Sequence, residues 1–189
     1  MALSLFTRRP VVQDTATWTP DGTTVVQRYR GVVGEREGAI VLVYTADGDR
    51  GSSSFAAACL GCTFRAALNR NGSVRLSETE AADLANTHAA NCRALDRGIP
   101  AAPGDDQAAK IVRDRLWGMR EHGTTSPRYV FLRDFHADRV DLQRPADFIK
   151  ETMLQLTQAE PDFLTAQPDS SGTGTQFLVQ PHPPRARTR

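Results

Sequence analysis

The sequence CLGC, from Cys59 to Cys62, is followed after 25 residues by HAANC, from His88 to Cys92. All three cysteines of the chain belong to this stretch. A CxxC turn directs two sulfur atoms towards one ion, and residues four apart on a helix lie on the same face. The spacing therefore predicts one metal site made by Cys59, Cys62, His88 and Cys92, with the rest of the chain built around it.

The donor types favour zinc in a structural role. Thiolate sulfur and imidazole nitrogen are usual zinc ligands, and four protein ligands leave no position open for water or substrate. We expect Zn²⁺ to join the helix that carries His88 to the CxxC turn and to substitute for a small apolar core. Two other interpretations stay open. One is a buried cysteine pair beside a core histidine with no metal, and the other is a redox-active CxxC, although the βαβ context of such motifs is missing.

A helix is predicted around the second pair of ligands. Ser77 and Glu80 match a capping box, which predicts a helix over about residues 78–96. An Asn71-Gly72 pair predicts a hairpin turn between the CxxC and this helix. The inward face of the helix is predicted to be one stripe, formed by Ala81, Leu84, Ala85, His88, Cys92 and Leu95.

The order of CxxC turn, predicted hairpin and ligand-bearing helix resembles the zinc-finger and treble-clef class over about residues 59–95. The gap between the ligand pairs is longer than in a C2H2 finger, and Cys92 replaces its last histidine. His88 lies well inside the helix, unlike the ligands of usual treble clefs. The resemblance implies a zinc-stabilised module and does not extend to a DNA-reading role.

The remaining patterns predict an α+β fold. Residues 1–98 combine an N-terminal antiparallel β segment, with strands near 23–30 and 39–45, and the zinc-pinned helix. Residues 99–106 are predicted to be a linker, and residues 107–165 a C-terminal helix-strand-helix portion. The segment 166–189 is rich in Ser, Gly, Thr and Pro, which predicts a flexible tail that is disordered or held by a partner, apart from the apolar Phe177-Leu178-Val179.

Charge and composition restrict the partners. The net charge is +1, and only the tail carries an excess of arginine, which disfavours bulk binding to nucleic acid. No apolar run approaches the ~20 residues that cross a bilayer, and the start of the chain lacks a signal-peptide pattern, so we expect a cytoplasmic protein. Lysine occurs only at Lys110 and Lys150, and the predominance of arginine indicates a high-GC bacterial source.

Two further clusters are weaker candidates for chemistry. The loop 47–54 contains Asp-x-Asp but lacks the complete spacing of a calcium-binding loop, so an ordinary turn is expected. Asp134, His136 and Asp138 alternate at the end of a strand predicted at 128–135, which would direct all three side chains to one face. Such a set is typical of a metal or acid–base cluster, and more often of a solvated strand end.

The favoured function is that of a non-enzymatic, zinc-stabilised binding or adaptor protein within a larger assembly, with a protein partner or self-association. The alternative is a nucleic-acid-binding regulator. It would use the arginines around the metal module, which are Arg65, Arg70, Arg75, Arg93 and Arg97. An enzyme is the third class, because no convergent catalytic set is visible in the sequence.

Overall fold

The computed structural model describes residues 14–48, 54–69, 72, 74–169 and 174–183. These residues form two antiparallel sheets and four α-helices, which confirms the predicted α+β class. None of the described helices is long and apolar enough to cross a membrane. The predicted linker at residues 99–106 and the domain boundaries on either side of it stay predictions.

The first sheet is a meander of four strands in the order β1-β2-β3-β4. Its strands are β1 (Thr23–Val33), β2 (Arg36–Ala46), β3 (Ala56–Cys59) and β4 (Arg65–Ala66). The run AIVLVYT lies in β2, which is buried from residue 38 to residue 44 because both faces of the sheet are covered. Val41 and Val43 belong to the core on one face, and Leu42 and Tyr44 belong to the core on the other.

Helix α1 (Glu78–Asn91) covers one face of this sheet through three alanines, Ala81, Ala85 and Ala89. The predicted capping box at its start is confirmed. Small residues let the helix approach the sheet closely. A Cβ atom on Gly31 of β1 would lie 2.3 Å from the carbonyl oxygen of Ala89, so only glycine fits there.

The helix ends at Asn91, several residues before the predicted end near residue 96. The carbonyl oxygen of Ala94 accepts the N–H of Ala39 at 2.9 Å, and Leu95 forms a β-bridge with Gly38. The chain therefore leaves the helix in order to pair with the start of β2. The helix end could not be predicted from the residues of the helix alone, because the competing interaction is with a distant part of the chain.

The other face of the first sheet packs against a 3₁₀ helix (Leu132–Asp138) and the short helix α3 (Arg139–Leu142). The hydroxyl of Tyr44 donates to the carbonyl oxygen of His136 at 2.8 Å. The fully buried side chain of Arg139 pairs with Asp47 at 2.9 Å, which also accepts the N–H of Ala146. Residues 132–142 thus join the first sheet to the C-terminal half.

The C-terminal half contains α2 (Asp105–Gly118), α4 (Ala146–Ala159) and a second sheet in the order β5-β7-β6. The strands are β5 (Arg128–Val130), β6 (Leu164–Pro168) and β7 (Thr175–Val179). Both helices and the sheet share one apolar core. Its most buried members include Val112, Leu116, Phe135, Ile149, Met153, Leu164 and Val179.

Two predictions for this half are wrong. The described part of segment 166–189 is not a disordered or partner-held tail, because β7 is the central strand of the second sheet and Phe177 is buried in its core. The strand predicted at 128–135 stops at Val130. The carboxylate of Asp134 accepts the N–H of Phe131 at 2.9 Å, and this bond turns the chain into the 3₁₀ helix.

Candidate metal centre

The first two predicted ligands lie on a tight connection between β3 and β4. Cys59 is the last residue of β3, and its N–H donates to the carbonyl oxygen of Phe64 at 3.1 Å, which closes the loop around Cys62. A Cβ atom on Gly61 would lie 2.4 Å from the Cβ atom of Ala39. The glycine in CLGC is therefore required for the loop to lie against β2.

The other two predicted ligands lie at the end of α1. His88 is in the last turn, and Cys92 is the C-cap residue with extended backbone angles. Cys92 is therefore not on the helix as predicted. Its N–H still donates to the carbonyl oxygen of His88 at 2.7 Å, which is the bond of one further helical turn. This bond keeps the two side chains on the same side of the chain.

The structure brings the four side chains together. One ligand atom from each of them, the Sγ atoms of Cys59, Cys62 and Cys92 and a ring nitrogen of His88, lies within 4.8 Å of all the others. The Sγ atoms of Cys62 and Cys92 are 3.9 Å apart, and Cys62 Sγ is 3.3 Å from His88 Nε2. Tetrahedral zinc, with bonds near 2.3 Å to sulfur and 2.0–2.1 Å to nitrogen, separates such pairs by roughly 3.8 Å and 3.5 Å. The arrangement fits a metal ion, and it is the only such cluster found among the described residues.

Backbone N–H groups point at all three sulfur atoms. Gly61 donates to Cys59 at 3.4 Å, and Phe64 and Ala94 donate to Cys62 and Cys92 at 3.5 Å each. Such bonds stabilise thiolates, which are the metal-binding form of cysteine. Each cysteine lies two residues before its donor, so the loop conformation itself provides this stabilisation.

An aromatic ring and burial act on the ligands as well. The ring of Phe64 stacks on the imidazole of His88 with centroids 4.0 Å apart and planes 12° from parallel, which holds the imidazole in place. Burial raises the pKa of the Cys59 thiol to about 11 and lowers the pKa of His88. Without a metal, the imidazole is therefore neutral and Cys59 keeps its proton at neutral pH, so binding of a cation would release a proton.

The arginines predicted for nucleic-acid binding have different environments. Arg65 pairs with Asp141 at 2.7 Å, and Arg75 pairs with Asp134 at 2.6 Å. Arg93 and Arg97 are exposed beyond the end of α1. Arg70 lies outside the described residues. Two of the four described arginines are therefore already paired with carboxylates.

The alternation of Asp134, His136 and Asp138 does not form a cluster, because these residues lie on the 3₁₀ helix and not on a strand. Asp134 binds Arg75, and Asp138 lies 3.3 Å from Arg115 with its pKa raised by burial. His136 is buried, with Nδ1 3.2 Å from the hydroxyl of Ser54.

Sequence reasoning missed three features. The buried pair of Ser54 and His136 joins residues far apart in the chain, and so does the pair of Arg65 and Asp141. The third feature is the exposed aromatic surface around Trp117. A local pattern predicts none of them. In loop 47–54, the carboxylate of Asp47 pairs with Arg139 and accepts the N–H of Ala146 at the start of α4. Residues 49–53 of this loop lie outside the described part of the chain.

Comparison with known proteins gives no relative: no family model, curated protein or solved structure matches the chain significantly.

Proposed function

We propose that this protein is a non-enzymatic binding or adaptor protein stabilised by one structural zinc ion and that it acts within a larger protein assembly. The observation that carries the proposal is the convergence of three cysteine sulfurs and one histidine nitrogen within 4.8 Å. Three thiolates and an imidazole favour zinc over the hard, oxygen-preferring cations. A reducing cytoplasmic compartment would keep the free cysteines available to the metal.

A structural role follows from the completeness of the ligand set. Four protein ligands fill a tetrahedral zinc shell, so no position is left for a water molecule or a substrate. The metal would join the β3–β4 loop to the end of α1, which otherwise packs on the sheet through small alanine side chains. Zinc therefore supplies stability that this interface lacks.

A protein partner is supported by the surface around Trp117, which we call the Trp117 surface and define as Arg113, Trp117, Arg120 and His182. Trp117 is 44% exposed, and the guanidinium groups of Arg113 and Arg120 lie 5.3 Å and 4.7 Å from its ring centroid. Exposed tryptophan and arginine are the residues most enriched at the energetic centres of protein interfaces. The near-zero net charge of the chain is compatible with a protein partner.

The alternative, a nucleic-acid-binding regulator, receives less support. Arg65 and Arg75 are already paired with carboxylates, and a phosphate would have to replace these partners. Arg93 and Arg97 alone give a small contribution to counterion release. The regulator predicts binding to duplex or single-stranded nucleic acid that weakens steeply with salt and is lost when Arg93 and Arg97 are changed to Gln.

An enzyme is the least supported class. Ser54 and His136 are 5% and 1% exposed, so a substrate does not reach this serine–histidine pair from the surface. Their hydrogen bond is better explained as satisfaction of buried polar groups.

Native mass spectrometry tests the proposal. Protein purified under reducing conditions should carry one zinc ion per chain, and a chelator should remove it. In the native host, the protein should be part of an oligomer or complex of defined stoichiometry. Trp117→Ala should dissociate that complex, and Val32→Ala, at a 70% exposed position on β1, is the matched control. A metal-free chain would refute the zinc site, and a zinc-bound monomer with no partner would refute the adaptor role.

A further inference from the structure

The side chain of Arg65 is built into the loop that carries the first two metal ligands. Arg65 begins β4, three residues after Cys62. Its Nη1 atom lies 2.8 Å from the carbonyl oxygen of Cys59, 3.2 Å from that of Cys62 and 2.8 Å from that of Phe64. One guanidinium group therefore binds the backbone at the first and last residues of the metal-binding turn and two residues after it.

The other side of the same guanidinium binds the C-terminal half. Nε and Nη2 donate to the two carboxylate oxygens of Asp141 at 2.9 Å and 2.7 Å. Asp141 lies on α3, between Val140 and Leu142, which are completely buried. The planar guanidinium has donors on several edges at fixed angles, so binding Asp141 fixes the direction in which Nη1 points.

The loop requires such a donor because of its own geometry. The N–H groups of Gly61 and Phe64 point at sulfur atoms, and the carbonyl oxygens of Cys59 and Cys62 accept from Arg65. Carbonyl oxygens that are withdrawn from water need hydrogen-bond donors.

We infer that Arg65, oriented by Asp141, is the positioning residue of the metal site. Its contacts hold the Cys59–Cys62 turn in the conformation that places both sulfurs on the ion, and they link metal occupancy to the order of α3. This inference rests on the metal site proposed above. Outer-shell groups of this kind typically change metal affinity by about 10- to 100-fold when they are removed.

A second ion pair provides a matched control. Arg75 joins the same two regions, because Nη2 binds Asp134 at 2.6 Å and Nη1 binds the carbonyl oxygen of Arg133 at 3.0 Å. The side chains of Arg75 and Arg65 are exposed to similar extents, 28% and 20%. Arg75 has no hydrogen bond to the metal-binding turn among the contacts of the described residues. If loss of an ion pair weakens zinc binding only by lowering general stability, changes in both pairs should weaken it. If Arg65 positions the ligands, only changes in the pair of Arg65 and Asp141 should weaken it.

The test is a zinc competition titration with a chromophoric chelator, applied to the full chain and to four variants. Arg65→Met and Asp141→Asn should each weaken zinc binding by about tenfold or more, the range expected for outer-shell changes, and Arg75→Met should stay within about twofold of the wild type. Arg65→Lys keeps the positive charge but lacks the planar set of guanidinium donors. Its zinc affinity should therefore lie between those of Arg65→Met and the wild type. Because Asp141 is 45% exposed, Asp141→Asn keeps the test possible if Arg65→Met does not fold.

Hydrogen exchange and cobalt spectra give readouts that a purely structural role would not change. In the wild type, removal of zinc should increase the amide exchange rates of residues 139–142. In Asp141→Asn, removal of zinc should leave the exchange rates of these residues unchanged. The visible spectrum of the cobalt(II) form should shift in Arg65→Met and not in Arg75→Met. Equal zinc affinities in the wild type, Arg65→Met and Asp141→Asn, or equal losses in Arg65→Met and Arg75→Met, would overturn the inference but leave the zinc site intact. A wild-type chain that takes up no zinc would instead refute the metal site on which the inference rests.

Discussion

Removal of the metal should lower the melting temperature of the protein, because the ion would join helix α1 to the β3–β4 loop. The perturbation is chelation of the wild-type protein, or His88→Ala, which removes one ligand. Helix α1 buries three alanines against the first sheet. At about 0.8 kcal/mol for each buried CH₂-sized group, the three alanine side chains contribute about 2.4 kcal/mol, to which the partly buried Leu84 adds.

A bound metal ion would add a cross-link to this interface. It would close a loop with 25 residues between Cys62 and His88. The chain-entropy relation used for covalent cross-links gives about 3.5 kcal/mol for a loop of this length. For a protein of this size, each kcal/mol changes the melting temperature by roughly 2–4 °C, so loss of the metal should lower it by roughly 7–14 °C.

Circular dichroism melts under reducing conditions provide the assay. The wild type should melt 7–14 °C lower with chelator than with one equivalent of zinc, as calculated above. His88→Ala should melt at the lower temperature in both conditions. Because this substitution also removes the ring that stacks on Phe64, its metal-free melt is compared with the metal-free wild type. A wild-type melting temperature that does not respond to chelator refutes the reasoning, and so does an undiminished zinc response in His88→Ala.

Three further predictions concern separate parts of the molecule. Asp47→Ala leaves the buried Arg139 without its carboxylate and should lower the free energy of unfolding by about 3 kcal/mol, measured by urea denaturation. A chain ending at Pro168 lacks the central strand of the second sheet and should give no dispersed amide NMR signals from the C-terminal half, in contrast to a chain ending at Pro183. Burial raises the pKa of Cys59 from 9.0 to about 11 in the metal-free protein, so the stability from its neutral thiol is complete below pH 9 and is lost as the pH rises towards 11. Urea midpoints over that range should fall for the metal-free wild type, and a fall of equal size in Cys59→Ala would show that another group is responsible.

The convergence of the three cysteines with His88, the helix start and the buried strand could be predicted because their signals are local. Three cysteines and one histidine in two spaced pairs define a ligand set without knowledge of the fold. The capping box is complete within Ser77 and Glu80, which are three residues apart. The apolar run in β2 has no polar alternation, which indicates burial on both faces. These features depend on near neighbours in the chain, and the sequence by itself determined them.

Only the tertiary structure decided where α1 ends, what holds residues 175–179 and which charges support the metal loop. The helix ends because the chain at Ala94 pairs with Ala39, and Phe177 becomes ordered because helices and strands from across the C-terminal half cover it. Arg65 and Asp141 are 76 residues apart, and no local pattern relates them. In each case, contacts with distant residues decide the structure over the local conformational preference. These contacts contribute to stability only when the chain is folded, so a local pattern does not predict them.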